Sequence, residues 1–164
     1  MTPAKFLSFM LLCCVGQTAL AAPPLQLVAA AGRWAALRGP GQCDAASLAV
    51  LPPTRTRGPG RASVSFDRAQ RRGQFAALLS RPVAPQSSVM LTIGDTPFLL
   101  VARGAQAWSR GAVQDAAIIA AMRSASGMRI AARAATGVRF VDRYELAGAP
   151  TAIDAAAACA ATSL

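Results

Sequence analysis

SVMLTIGDTPFLLVAR, from Ser88 to Arg103, is the stretch whose reading decides the fold. Val89 to Ile93 and Pro97 to Val101 are apolar, partly β-branched runs, and Gly94-Asp95 between them supplies the backbone freedom of a tight turn. The stretch therefore reads as a β-hairpin. Both strands are mainly apolar, which places the hairpin in the middle of a sheet with at least one face covered.

Upstream of it, Ala62 to Arg68 alternates, with Val64 and Phe66 on one face and Ser63, Ser65 and Asp67 on the other, the pattern of a half-buried strand. Arg71-Arg72-Gly73 fits a turn, and Gln74 to Ser80 gives the partner strand through Phe75, Ala77 and Leu79. Pro82 and Pro85 bracket the loop into the hairpin. Thr54 to Arg61 is a basic loop rich in Pro and Gly, and Cys43 to Leu51 fits either a short strand or a helical turn, stopped by Pro52-Pro53. Arg33 to Arg38 is read as the first strand, with Trp34 against the sheet. Arg-Gly-Pro-Gly occurs at Arg38–Gly41 and again at Arg57–Gly60, but the flanks differ, so these are two turns and not a repeat.

Downstream, Gln106 to Arg110 is expected to be a loop carrying Trp108. Val113 to Ala125 has helical spacing, with Ile118, Ile119 and Met122 as its apolar stripe, and Gly127 is placed to end it. Met128 to Ala134 and Val138 to Leu146 form a second hairpin around Thr136-Gly137, its register open. Pro150 suits the first turn of a last helix running to about Ala161, and Thr151 with Asp154 resembles a capping pair. The order predicts an α+β domain, an antiparallel β-sheet or small β-sandwich covered by two helices at about 113–125 and 150–161.

The N-terminus reads as a secretory signal over residues 1–21. Lys5 is its positive charge, Phe6 to Val15 its ten-residue apolar core, and Ala19-Leu20-Ala21 its cleavage site. A lipid anchor at Cys13 or Cys14 is the competing reading, but Leu12 and Cys13 are poor residues to precede a lipidated cysteine. The apolar core is too short to span a bilayer, and no later segment has the ~20 apolar residues of a transmembrane helix. Residues 22–32 follow as a flexible lead-in and 33–164 as a single domain. Export places the chain in the periplasm, at the outer membrane or outside the cell.

Two cysteines remain in that oxidising setting, Cys43 and Cys159, and they are expected to form a disulfide. Zinc is not expected, because the sequence has no histidine and two thiols do not fill four ligand positions.

The formal charge is +10, and without Lys5 the mature chain carries 16 arginines against 7 acidic residues, or +9. Nine arginines lie between Ala22 and Arg81, against Asp44 and Asp67 alone. Arg55, Arg57, Arg61, Arg68, Arg71 and Arg72 are thus the candidate contact surface. Two readings stay open: a cationic face for an anionic lipid, lipopolysaccharide, glycan or nucleic acid, or a solvating surface written in arginine by a GC-rich genome. Nucleic acid is disfavoured, since the chain is exported and lacks interleaved aromatics for base stacking. Trp34 and Trp108 are read as core or groove-lining anchors.

Without histidine, Ser-His-Asp and Cys-His sites cannot be built, and without lysine the mature chain forms no Schiff base. Carboxylates remain at Asp95, Asp115, Asp142, Glu145 and Asp154, none in a motif. Asp95 reads as a turn residue, Asp154 as a helix cap, and Asp142 with Glu145 as a solvated strand face. No phosphate-cradling glycine loop is present, and no cofactor is expected.

Trp34 soon followed by Cys43, then SSVMLTIGDTPFLLVARGAQAW, DAAIIAAMR and DRYELAGAPTAIDAAAACA, together resemble the invasion-associated locus B family over Arg33 to Cys159. That resemblance implies an exported, periplasmic or outer-membrane-associated protein that is not an enzyme, linked in some pathogens to entry into host cells, with no family active site to carry over. The chain has fewer cysteines than fuller members. The resulting expectation is a non-enzymatic envelope protein whose cationic surface binds an anionic envelope or host component. The alternatives are an accessory or inhibitor protein with a periplasmic protein partner, and a carboxylate-dependent hydrolase.

Overall fold

Ten strands and two helices follow one another in the computed structural model, which describes residues 24–67 and 72–162. The strands are β1 (Gln26–Ala31), β2 (Trp34–Arg38), β3 (Gln42–Leu48), β4 (Arg61–Asp67), β5 (Gly73–Leu78), β6 (Val89–Ile93), β7 (Thr96–Arg103), β8 (Gln106–Trp108), β9 (Gly127–Arg133) and β10 (Arg139–Glu145). The helices are α1 (Ala112–Ser124) and α2 (Ala149–Thr162). All strands join in one sheet of order β1-β2-β3-β4-β5-β8-β7-β6-β9-β10, and every neighbouring pair is antiparallel. The choice between sheet and sandwich thus resolves to a single large sheet.

The central hairpin is β6–β7, turning at Gly94-Asp95 with Ile93 opposite Thr96. β9 and β8 flank it, so it is interior to the sheet. The second hairpin takes the register Arg139 opposite Arg133 through Glu145 opposite Gly127. Cys43 to Leu48 resolves as strand, because β2 and β4 supply ladder partners on both sides.

Four local expectations are corrected. Residues 26–31, expected in a flexible lead-in, are β1, held to β2 from Gln26 to Ala31. Trp108, expected in a loop, ends a three-residue strand between β5 and β7. Gly127 opens β9 instead of ending the helix; α1 stops where Ala125 turns extended (φ −91, ψ 156). Asp154 is not engaged with Thr151 but binds Arg123 of α1 at 2.6 Å, joining the two helices. Of the turn expected at 71–73, Arg71 lies outside the described residues and Gly73 opens β5.

α2 packs across β1 to β4, while α1 lies against β5 and touches β6 and β7. Ile118 and Met122 of α1 and Ala152, Ile153 and Ala156 of α2 enter one core with Val64, Phe75, Leu91 and Ile130. Each large aliphatic buried there contributes about 1.5–3 kcal/mol. The sheet curls, as long antiparallel sheets do. Its last strand returns to the first half: Trp34 Nε1 donates to the Glu145 carbonyl at 2.8 Å, and Val50 N–H to the Arg143 carbonyl at 2.8 Å. Gly32 and Gly148, both at positive φ, interlock there, each lying against the backbone carbonyl of the residue before the other, Ala147 and Ala31. A side chain at either would collide with that carbonyl.

The Cys43–Cys159 disulfide forms, spanning 116 residues with a Cα separation of 6.1 Å, and pins the end of α2 to β3. In the chain-entropy model a loop of that length stabilises by about 5 kcal/mol.

Candidate functional site

Residues directly opposite on neighbouring antiparallel strands share a face, with Cβ atoms about 5 Å apart. Leu48, Arg61, Leu78 and Gln106 are opposite one another in turn across β3, β4, β5 and β8. All four are exposed, Leu48 at 58% and Leu78 at 38%. Beyond this row three segments are tied together. Thr54 and Arg57 bond reciprocally, Gly58 N–H donates to the Ser80 carbonyl at 2.8 Å, Leu79 N–H to Ala105 at 2.7 Å, and Val83 N–H to Gly104 at 2.9 Å. The ties bring Arg55, Arg57, Arg81 and Arg103 to the same end of the sheet as Arg61. Val50 and Leu51 on the β3–β4 loop stand exposed beside them.

The six arginines expected to form one surface are therefore divided. Arg55, Arg57 and Arg61 are together at this end. Arg72 precedes Gly73, which pairs with Phe66, whereas Arg61 pairs with Leu78 at the other end of β4. Seven strand residues separate those ends by roughly 20 Å. Arg68 and Arg71 lie outside the described residues. Arg81 and Arg103 join the set through backbone ties that sequence spacing does not encode.

Near the Arg72 end is a cavity of about 400 Å³ of mixed lining, with Gln42, Arg72, Phe75, Trp108, Ser109 and Asp115 among the residues around it. Trp108 is half-exposed at its wall. Trp34, in contrast, is fully buried beneath α2 and the sheet end, with its indole N–H satisfied by Glu145.

Two carboxylates are interior, one of them against expectation. Asp142, read as part of a solvated face with Glu145, is fully buried and accepts hydrogen bonds from Ser80 N–H at 2.8 Å and from the Ser80 hydroxyl. The signal was available: in Phe140-Val141-Asp142-Arg143-Tyr144 the two-residue period puts Asp142 on the face of Phe140 and Tyr144. Asp115, in the first turn of α1, accepts Phe75 N–H at 2.8 Å. Asp95 and Glu145 are exposed. Asp154 is also exposed, and the hydrogen bond from Arg123 holds its carboxyl below the ordinary value.

Tyr144 is the single tyrosine of the chain. Its hydroxyl is buried without a hydrogen-bond partner. Burial first, and Asp142 nearby second, push its pKa well above 10.0. Among the described residues no group of three or more His, Cys, Asp or Glu is placed to hold a metal ion, and no helix is long and apolar enough to cross a membrane.

No family model and no curated protein matches the chain. The crystal structure of invasion associated protein B from Bartonella henselae does match, with a TM-score of 0.64, over 82% of this chain and 98% of that one. The two share a fold. At 16% identity the likeness is one of fold alone.

Proposed function

We propose that this chain is an exported, non-enzymatic envelope protein of the invasion-associated locus B kind, resident in the periplasm, at the outer membrane or outside the cell. Its arginine-bearing sheet end contacts an anionic envelope or host component. The observation that carries this reading is the fold likeness, which takes in nearly the whole length of invasion associated protein B. The disulfide supports the oxidising compartment.

A non-enzymatic role is supported by what the two buried carboxylates do. Asp115 and Asp142 are each engaged in bracing backbone, accepting the N–H of Phe75 and of Ser80. Contact through arginine predicts salt sensitivity, because exposed charges are screened within about 8 Å at physiological ionic strength.

The test is retention of membrane components and proteins from envelope extract on the immobilised mature chain. Release as salt is raised is expected. A stoichiometric, salt-resistant protein complex would favour instead the accessory or inhibitor reading, with the Trp108 cavity as its docking site. Turnover of an envelope substrate abolished by Asp115→Asn or Asp142→Asn would overturn both in favour of a hydrolase.

A further inference from the structure

We propose that the sheet end built from residues 48–61, 78–84 and 103–106 is a membrane-contact surface that seats on an anionic phospholipid bilayer. Val50, Leu51 and Pro52-Pro53 enter the headgroup boundary, and Arg55, Arg57, Arg61, Arg81 and Arg103 engage lipid phosphates around them. This names the partner of the envelope contact proposed above and rests on that reading.

Four large aliphatic side chains are exposed at this one end: Leu48, Val50, Leu51 and Leu78. They are held outward by backbone ties. Ala49 between them is the buried residue, its N–H fixed to the Gly60 carbonyl at 2.8 Å, and Val50 N–H is fixed to Arg143 at 2.8 Å. The loop cannot turn its apolar side chains inward without breaking those bonds. Pro52-Pro53 follow directly, ahead of the turn closed by Thr54 and Arg57, and have no N–H to desolvate, so approach of this segment to the acyl boundary leaves fewer donors without a partner than any other dipeptide would.

Charge complementarity selects the lipid. None of residues 48–61, 78–84 or 103–106 is acidic, while they carry five arginines. Asp67 and Asp95 lie at the opposite ends of β4 and β7 from Arg61 and Arg103. Asp142, beneath the end, is buried and occupied by Ser80. Guanidinium groups match phosphate oxygens in paired hydrogen bonds. A free anion would use the arginines and leave the aliphatic side chains in water. A bilayer accommodates both, since interfacial binding combines buried apolar area with attraction to anionic headgroups.

The experiment uses the mature chain with vesicles of equimolar phosphatidylethanolamine and phosphatidylglycerol, with vesicles of phosphatidylcholine, and with inorganic phosphate as competitor. Co-sedimentation with the anionic vesicles is expected at least about tenfold above phosphatidylcholine, weakened by salt. The double variant Val50→Ser/Leu51→Ser should lower it at least about fivefold, and Arg55→Ser/Arg57→Ser/Arg61→Ser should abolish it, both with unchanged circular dichroism and Tm. Equal binding to phosphatidylcholine would overturn the proposal. So would binding that is competed by phosphate and indifferent to the Val50/Leu51 change, which would leave an anion site only. Salt-sensitive retention from envelope extract with no binding to either vesicle overturns this inference, assigns the surface to an acidic protein or glycan, and leaves the broader reading standing. Failure in both assays removes both.

Discussion

Asp142 and Asp115 hold opposite ends of β5 by the same means, a buried carboxylate accepting a backbone N–H, yet the surfaces above them differ. Asp142 is fully buried and takes both donors of Ser80, under an end of leucine and arginine. Among the described residues Asp115 takes one such donor, Phe75 N–H, beside the cavity of Trp108. The anchoring is a property of the fold; the character of each surface comes from the exposed residues that the anchors hold in place. Each interior acid here braces backbone.

Removing the disulfide is the largest perturbation and should affect both ends alike. Cys43→Ala/Cys159→Ala restores a 116-residue loop to the unfolded chain and should lower stability by about 5 kcal/mol in the chain-entropy model, read from the urea midpoint. Asp142→Ala comes next. It strands the Ser80 N–H and hydroxyl in the interior and should cost about 3–4 kcal/mol, with faster hydrogen exchange at Ser80 and Val50. Asp115→Ala removes one bond and should cost about 1.5–2 kcal/mol. Equal costs for the two aspartates would break the contrast between the ends.

The smallest effect belongs to Tyr144. Its hydroxyl has no partner, so Tyr144→Phe should be neutral or stabilising by up to about 1 kcal/mol. The sign of its pH dependence follows from a folded-state pKa raised above that of the unfolded chain. Its stabilising share is whole below pH about 10 and falls as pH rises through the folded value, while the Phe variant loses this slope. Ultraviolet titration of this single tyrosine should show no ionisation near pH 10 until the protein unfolds.

The β6–β7 hairpin was legible because two apolar runs flank a turn dipeptide at hairpin spacing, and both helices were legible from their period and length. β1 was not. Gln26 to Ala31 is polar only at its first residue and has no alternation, so its strand state comes from pairing with β2, a tertiary cause. β8 is three residues long, too short for any period to show. At the proposed contact surface, the basic loop Arg55 to Arg61 could be read directly. Arg81 and Arg103 could not, because the bonds from Gly58 to Ser80 and from Val83 to Gly104 unite segments remote in sequence. Asp142 was legible in its period and was misread, since a charged residue between Val141 and Arg143 suggests solvent unless Phe140 and Tyr144 are counted with it.

The account stands on an exported, oxidised chain, and intact mass of the protein recovered from its native envelope, alkylated with and without prior reduction, tests that most directly. The expected mass begins at Ala22, with Cys43 and Cys159 alkylated only after reduction. Retention of residues 1–21, or alkylation of both cysteines without reduction, would contradict it and return the arginine surface to partners inside the cell.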